Sequence, residues 1–207
     1  MKCVMISIKP KWCELIASGK KTIEVRKTKP KIELPFKCYI YCTQDFADSR
    51  KRRSRNEFWI GEPLNDVSKG RYFGDGMVIG EFVCDEIRTV THCGYANNDI
   101  ELRIVDKHLR YRELDWQFLN ACQLSRSDLE TYSGGKPLYG WHISDLVIYD
   151  KPKDLDCFMA FGKDKCDCKN CYKCLYLGYD KVCDIENLGQ PLFSPPRSWC
   201  YCEEWSE

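Results

Sequence analysis

"SGKKTIEVRK", residues 18–27, is the stretch on which the reading of this chain turns. Ser18-Gly19 makes a small-residue turn, and Thr22 to Arg26 alternate in the manner of a half-buried strand. A strand that opens on Lys21, Glu24 and Arg26 is either a charged edge or the rim of a site. Just upstream, "CVMISI" (3–8) reads as a first strand. Lys9-Pro10 closes it, because proline supplies no donor and restrains the residue before it. Trp12 to Ser18 fits a short helix with Trp12, Leu15 and Ile16 on one face, and Gly19 ends it as glycine commonly does.

Downstream, "PFKCYIYCTQ" (35–44) has strong β composition, and 45–76 reads as a long polar loop. "MVIGEFVCDEIR" (77–88) predicts a strand pair or one long strand. Residues 97–127 carry helical patterning in "DKHLRYRELDWQFLNACQL", and Ser125 or Ser127 caps a further helical turn. "LYGWHISDLVIYDKP" (138–152) predicts one strand ended by Pro152, and "SWCYCEEW" (198–205) a last strand. Some six strands with a few short helices give an α+β class and suggest a small barrel, although periodicity alone does not establish closure.

The 207 residues are 43% apolar, enough for a sizeable core, and a single domain over 1–207 is the expectation. Thirty-two basic residues meet 31 acidic ones, so no global field drives the chain to nucleic acid or membrane, and any basic surface is local. "MKCVMISI" has neither a long apolar run nor a small-residue cleavage site, and no stretch nears a membrane helix. The expected setting is cytoplasmic.

Fifteen cysteines are many, and seven fall in the last 42 residues. An odd count without an export signal argues against a disulfide framework. The scattered cysteines read as small buried hydrophobes. "KCDCKNCYKCLYLGYDKVCD" differs, because Cys171 and Cys174 can present two sulfurs to one ion from a tight turn. Cys166 or Cys168 supplies a third ligand and Cys183 a fourth, a set that suits structural Zn²⁺. An iron–sulfur cluster is the rival, since Cys168, Cys171 and Cys174 also fit ferredoxin spacing. Residues 153–190 are too polar to fold by burial alone, so they form a cysteine-rich insert stabilised by metal. Cys157, Cys200 and Cys202 are assigned to core packing.

Gly19, Lys21, Glu24 and Arg26 match without a gap the motif Gly-x-Lys-x-x-Glu-x-Arg, and "ISIKPKWCELIASGKKTIEVRK" resembles the opening strand and helix that go with it. "GWHISDL" (140–146) and "PPRSWCY" (195–201) resemble later strands of bacterial and phage members. By these segments the chain resembles the ASCH domain family of the PUA-like superfamily. The resemblance implies a small β-barrel ringed by short helices, with a cleft beside the motif that meets RNA or a modified nucleoside or nucleotide. Lys21, Glu24 and Arg26 then become rim residues able to hold a phosphate, a sugar hydroxyl and a base edge. Ser7 and Lys9 end the first strand on the same cleft, and Trp12 offers a ring for stacking. Against this stands the plainer reading that Glu24 and Arg26 share a strand face and pair only with each other.

Some family members resemble hydrolases of acetylated cytidine, and others ribonucleases. In the former a lysine and a threonine of the motif region act with a later glutamate. Here Lys21 is kept and Glu24 stands in the threonine's place, so a Lys21–Glu24 pair that activates water is the enzyme reading. Glu81, Glu86, Glu113 and Glu130 are candidates for the later glutamate. Thr22 falls on the opposite face if Lys21 already belongs to the strand. A protein-interaction scaffold is a third reading. His142, beside Trp141, reads as structural, and "RKRRSR" (50–55) with Phe58 and Trp59 is either a phosphate-binding run or a solvated loop.

Overall fold

A computed structural model describes residues 1–44, 59–60, 72–94, 100–105, 109–161 and 191–206. The basic run 50–55, Phe58, the side chain of Trp59 and the five cysteines from Cys166 to Cys183 lie outside the described residues, as does most of the 153–190 insert. The chain opens with β1 (Lys2–Ile8), α1 (Pro10–Ala17), β2 (Ile23–Arg26) and β3 (Phe36–Cys42). Two short strands, β4 (Trp59–Ile60) and β5 (Tyr72–Phe73), precede β6 (Val78–Cys84) and β7 (Ile87–Gly94). Then come β8 (Ile100–Val105), β9 (Tyr111–Glu113), α2 (Trp116–Cys122) and α3 (Arg126–Ser133). The chain returns through β10 (Leu138–His142), β11 (Ser144–Lys153) and β12 (Trp199–Glu203).

The strands form two five-stranded sheets, ordered β11-β6-β3-β1-β12 and β2-β10-β7-β8-β9, and β4 pairs with β5. The first sheet is covered on both faces, which explains why β1 and β3 read as nearly continuous apolar runs. Val4, Ile6 and Ile8 point with Cys38, Ile40 and Cys42 toward α1 and Trp141. Cys3, Met5, Tyr39 and Tyr41 point the other way, under Phe158 and Cys202. β1 and β3 run parallel, so a crossover is obligatory, and α1 with β2 provides it. In the second sheet Ile23, Val25, Val90, Leu102 and Ile104 pack against Phe118 of α2 and Leu129 of α3.

Two chain segments pass directly from one sheet to the other. β6 continues into β7 across Asp85-Glu86, and β10 into β11 across Ile143, where Ile143 N–H donates to Thr22 C=O at 2.9 Å. The expected strand 138–152 is therefore two strands in different sheets, and Pro152 lies inside β11 rather than past its end. The ladders among the described residues do not close into one barrel: β2 and β12 stand at the free ends of the two sheets. The helical expectation for 97–127 also needs correction. Among the described residues β8 and β9 lie in its first part, and the first helix starts at Trp116, capped by Asp115 accepting from Phe118 N–H at 2.8 Å. The cap at Ser125 is present as a complete box, with Asp128 N–H donating to Ser125 Oγ at 3.1 Å and Ser125 N–H to Asp128 at 2.9 Å.

The scattered cysteines are free thiols, and Cys3, Cys13, Cys38, Cys42, Cys84 and Cys122 are buried as expected. Burial pushes the Cys84 thiol up to about 12 and Cys200 to about 11, so both remain protonated packing groups. Cys157 departs from the packing assignment, since it is exposed on the short turn after β11. Among the described residues no group of His, Cys, Asp and Glu is placed to hold a metal ion. No described helix is long and apolar enough to cross a membrane.

Candidate functional site

The turn and strand of the opening motif form the floor of a cavity of about 680 Å³. Gly19 takes φ +70°, a left-handed conformation that glycine adopts without steric cost, and this releases the chain from α1. Lys21 remains in the turn, outside β2, and its N–H donates to Leu15 C=O at 2.9 Å. Alternation along β2 sends Ile23 and Val25 into the core beneath α2 and α3, while Glu24 and Arg26 take the other face. Thr22 does not reach the cavity, and its N–H donates to Ala121 C=O at 2.9 Å.

Lys21, Glu24 and Arg26 are 2%, 6% and 9% exposed, so the plain surface-pair reading does not hold. Lys21 Nζ donates to Cys122 C=O at 2.6 Å, lies 3.4 Å from Glu24 Oε2, and sits 5.0 Å from the Trp12 ring centre. Arg26 Nε lies 3.0 Å from Glu24 Oε1, an ion pair in contact without the alignment of a hydrogen bond. The Arg26 guanidinium also donates through Nη2 to Ser7 C=O and through Nη1 to Ser198 Oγ at 3.4 Å. One side chain thus bridges β2 of one sheet to β1 and the approach to β12 of the other, where no backbone ladder does so.

Burial of three charges is costly unless each is paired, and here every one is. The carboxylate stands between two cations, and the surplus positive charge of Lys21 rests against the C-terminal carbonyls of α2, the negative end of that helix. The two interior cations therefore each donate to the protein. Ser7 does the same, since its Oγ donates to Pro196 C=O at 2.6 Å and its N–H to Ser198 C=O at 2.9 Å. Ser7 lines the cavity but acts on the wall, fixing the Pro195–Ser198 strap across it.

Lys9 and Arg197, the latter within that strap, line the cavity and are both exposed, so they stand at its opening. Trp12 lines the cavity too, but its ring is attended by two ammonium groups, Lys11 Nζ at 4.7 Å and Lys21 Nζ at 5.0 Å. α3 adds Asp128 and Tyr132, and Lys27 Nζ lies 4.9 Å from the Tyr132 ring. Burial raises the Tyr132 hydroxyl above its ordinary value, so it remains a neutral donor. Four cations (Lys9, Lys21, Arg26, Arg197) and two carboxylates (Glu24, Asp128) leave the lining with a surplus of positive charge.

All six residues singled out at the cleft, Ser7, Lys9, Trp12, Lys21, Glu24 and Arg26, thus meet in one cavity. None of the four candidate glutamates joins them. Glu81 is held by Lys37 at 3.2 Å and Tyr149 at 2.7 Å, Glu86 by Arg88 at 3.0 Å, and neither Glu113 nor Glu130 lines the space. His142 meets Asp85 at 2.6 Å at the corner between the sheets, away from the cavity. Sequence reading missed Asp128, Tyr132 and Arg197. Arg197 lies within the "PPRSWCY" segment already marked as a family feature, whereas nothing in the local pattern around Tyr132 marks it.

The family model of the ASCH domain matches residues 6–124, more than half of the chain. The chain belongs to the ASCH domain family. Its two sheets and short helices are consistent with the PUA-like superfamily. Among solved structures, it is similar to the crystal structure of ASCH from Zymomonas mobilis at 17% identity and a TM-score of 0.46, over 99% of this chain and 87% of that one. A mutant of the same Zymomonas mobilis protein is similar at 18% identity and a TM-score of 0.40, over 99% and 87% of the two chains. No curated protein matches the chain. The ASCH motif residues Lys21, Glu24 and Arg26 all fall within the matched span.

Proposed function

We propose that this ASCH-domain chain binds RNA or a nucleotide, modified or not, in the cavity beside Lys21, Glu24 and Arg26. The observation that carries the reading is the combination of a buried carboxylate on the floor with exposed cations, Lys9 and Arg197, at the opening. An apolar pocket for a neutral ligand has no use for either. A polyanion has use for the rim, and a base edge for the floor. Fluorescence titration of the protein with short single-stranded RNA at low salt tests the reading, with Trp12 as the local reporter. Saturable binding that weakens in Lys9→Ala and Arg197→Ala is expected, with a salt dependence reduced by each lost phosphate contact. Absence of binding at low salt rejects the reading.

A hydrolase is the second reading, supported by the 3.4 Å approach of Lys21 to Glu24 in the cavity wall. The donors already given by Lys21 to Cys122 C=O and Glu24 oppose it, because a free base is needed to take a proton from water. Incubation with acetylcytidine and with labelled RNA, followed by separation of products, discriminates the two readings. We further propose that four of Cys166, Cys168, Cys171, Cys174 and Cys183 hold a structural Zn²⁺ outside the described residues. The free thiols of the described core fit the reducing compartment that such a site requires.

A further inference from the structure

The floor of the cavity offers an acceptor. Lys21 donates to Cys122 C=O and Arg26 to Ser7 C=O and Ser198 Oγ, and both stand in ion-pair contact with Glu24. Both cations are thus partly committed to the protein. Glu24 differs. An ionised carboxylate has two oxygens and about four lone-pair directions. Its Oε1 has one cationic partner, Arg26 Nε, and its Oε2 one, Lys21 Nζ. Each oxygen therefore retains acceptor capacity, on a residue that lines the cavity.

We propose that the cavity takes a guanine nucleotide, with the base inward on Glu24 and the phosphate outward at Lys9 and Arg197. The choice of base follows from donor geometry. Guanine alone presents two adjacent N–H donors on its pairing edge, at N1 and at the 2-amino group, and these match two parallel carboxylate lone pairs. Cytosine and adenine each present one amino donor beside a ring nitrogen that is itself an acceptor. Uracil presents one N–H flanked by two carbonyls. In all three an acceptor would face a carboxylate oxygen in a dry site, which is repulsive. The orientation follows from burial, since Glu24 is 6% exposed while Lys9 and Arg197 are exposed at the opening. The cavity of about 680 Å³ accommodates a mononucleotide.

This proposal rests on the nucleotide reading above, and the experiment separates the two. The probes are GMP, AMP, CMP, UMP and guanosine, titrated calorimetrically against the full chain, alongside a mixed-sequence single-stranded RNA. GMP should bind at least about tenfold more tightly than the other three monophosphates, the discrimination expected of one bidentate base contact. Glu24→Gln replaces one acceptor by an amide donor and should abolish that preference. Arg197→Ala alters only an exposed side chain, and should lower GMP affinity toward that of guanosine while leaving guanosine itself unchanged. Should Glu24→Gln fail to fold, the wild-type series and Arg197→Ala decide the matter. A chain that binds the RNA but shows no guanine preference, whether every monophosphate binds or none does, overturns this assignment and leaves the RNA reading standing. A chain that binds neither RNA nor any monophosphate ends both.

Discussion

Lys21 Nζ and Glu24 Oε2 lie 3.4 Å apart in a setting where the two residues are 2% and 6% exposed. Glu24 in turn faces Arg26, so the pair is part of a buried triad that no surface salt bridge resembles. Removing one member leaves a partner charged and dry. Lys21→Met keeps the aliphatic stem but deletes the ammonium, leaving the Cys122 carbonyl and one Glu24 oxygen short of a donor. The expected loss of stability is roughly 3–5 kcal/mol, as for other broken buried pairs. Urea denaturation measures it, and a loss below about 1 kcal/mol would show that the triad is no more than a surface contact.

Gly140 on β10 should tolerate no side chain. A Cβ there would stand 2.9 Å from Phe118 Cε2 and 3.0 Å from Ile23 Cγ2, inside van der Waals contact. The ring belongs to α2, whose last turn supplies the Cys122 carbonyl to Lys21. Gly140→Ala should therefore cost about 1–3 kcal/mol by overpacking and also weaken ligand binding through displaced α2. Chemical denaturation and titration of the same sample check both halves, and an unchanged affinity would show that α2 does not transmit its position to the floor.

The capping box of α3 makes a smaller, cleaner test. Ser125→Ala removes the acceptor for Asp128 N–H and the hydroxyl that donates to the Asp128 carboxylate at 2.6 Å. The expected cost is about 1 kcal/mol, typical of a lost N-cap. Since α3 carries Asp128 and Tyr132 to the cavity, the variant should bind more weakly as well. An unchanged urea midpoint would refute the cap's contribution.

Acid should act at the corner between the sheets. The hydrogen bond from His142 holds the Asp85 carboxyl below its ordinary value. A carboxyl depressed on folding adds stability that is present above its unfolded pKa, about 3.9, and is lost as pH falls through the folded value. The contribution is modest, since both side chains are more than a third exposed and solvent screens them. Thermal midpoints of wild type and Asp85→Asn should thus differ at pH 6 and converge below about pH 4. A constant difference across that range would assign the effect to packing.

Zinc content tests the cysteine-rich segment directly. About one equivalent of zinc per chain is expected for a single four-thiolate site, falling in Cys174→Ser and on acidification, as protons compete for sulfur. The barrel-like core of the two sheets should keep its unfolding midpoint after chelation, because its apolar strands lie outside residues 162–190. Less than half an equivalent, without iron absorbance, would make the segment a reduced cysteine-rich loop.

The sequence by itself determined the opening strand, the α1–Gly19 exit, the motif residues and the Ser125 cap, because each depends on neighbours within a few positions. The gapless motif with the later segments announced the family. Tertiary structure alone decided that "LYGWHISDLVIYDKP" bends at Ile143 between two sheets, since a strand that changes sheet keeps the same β-forming composition throughout. It also decided that Ile100–Val105 and Tyr111–Glu113 are strands despite helical patterning, because β8 pairs with β7 and β9 with β8, and this outweighs weak local propensity. Above all it decided the roles within the motif. The family resemblance put Lys21, Glu24 and Arg26 on one rim. Only the carbonyls of Cys122 and Ser7, distant in sequence but close in space, determine that the two cations turn inward to the protein.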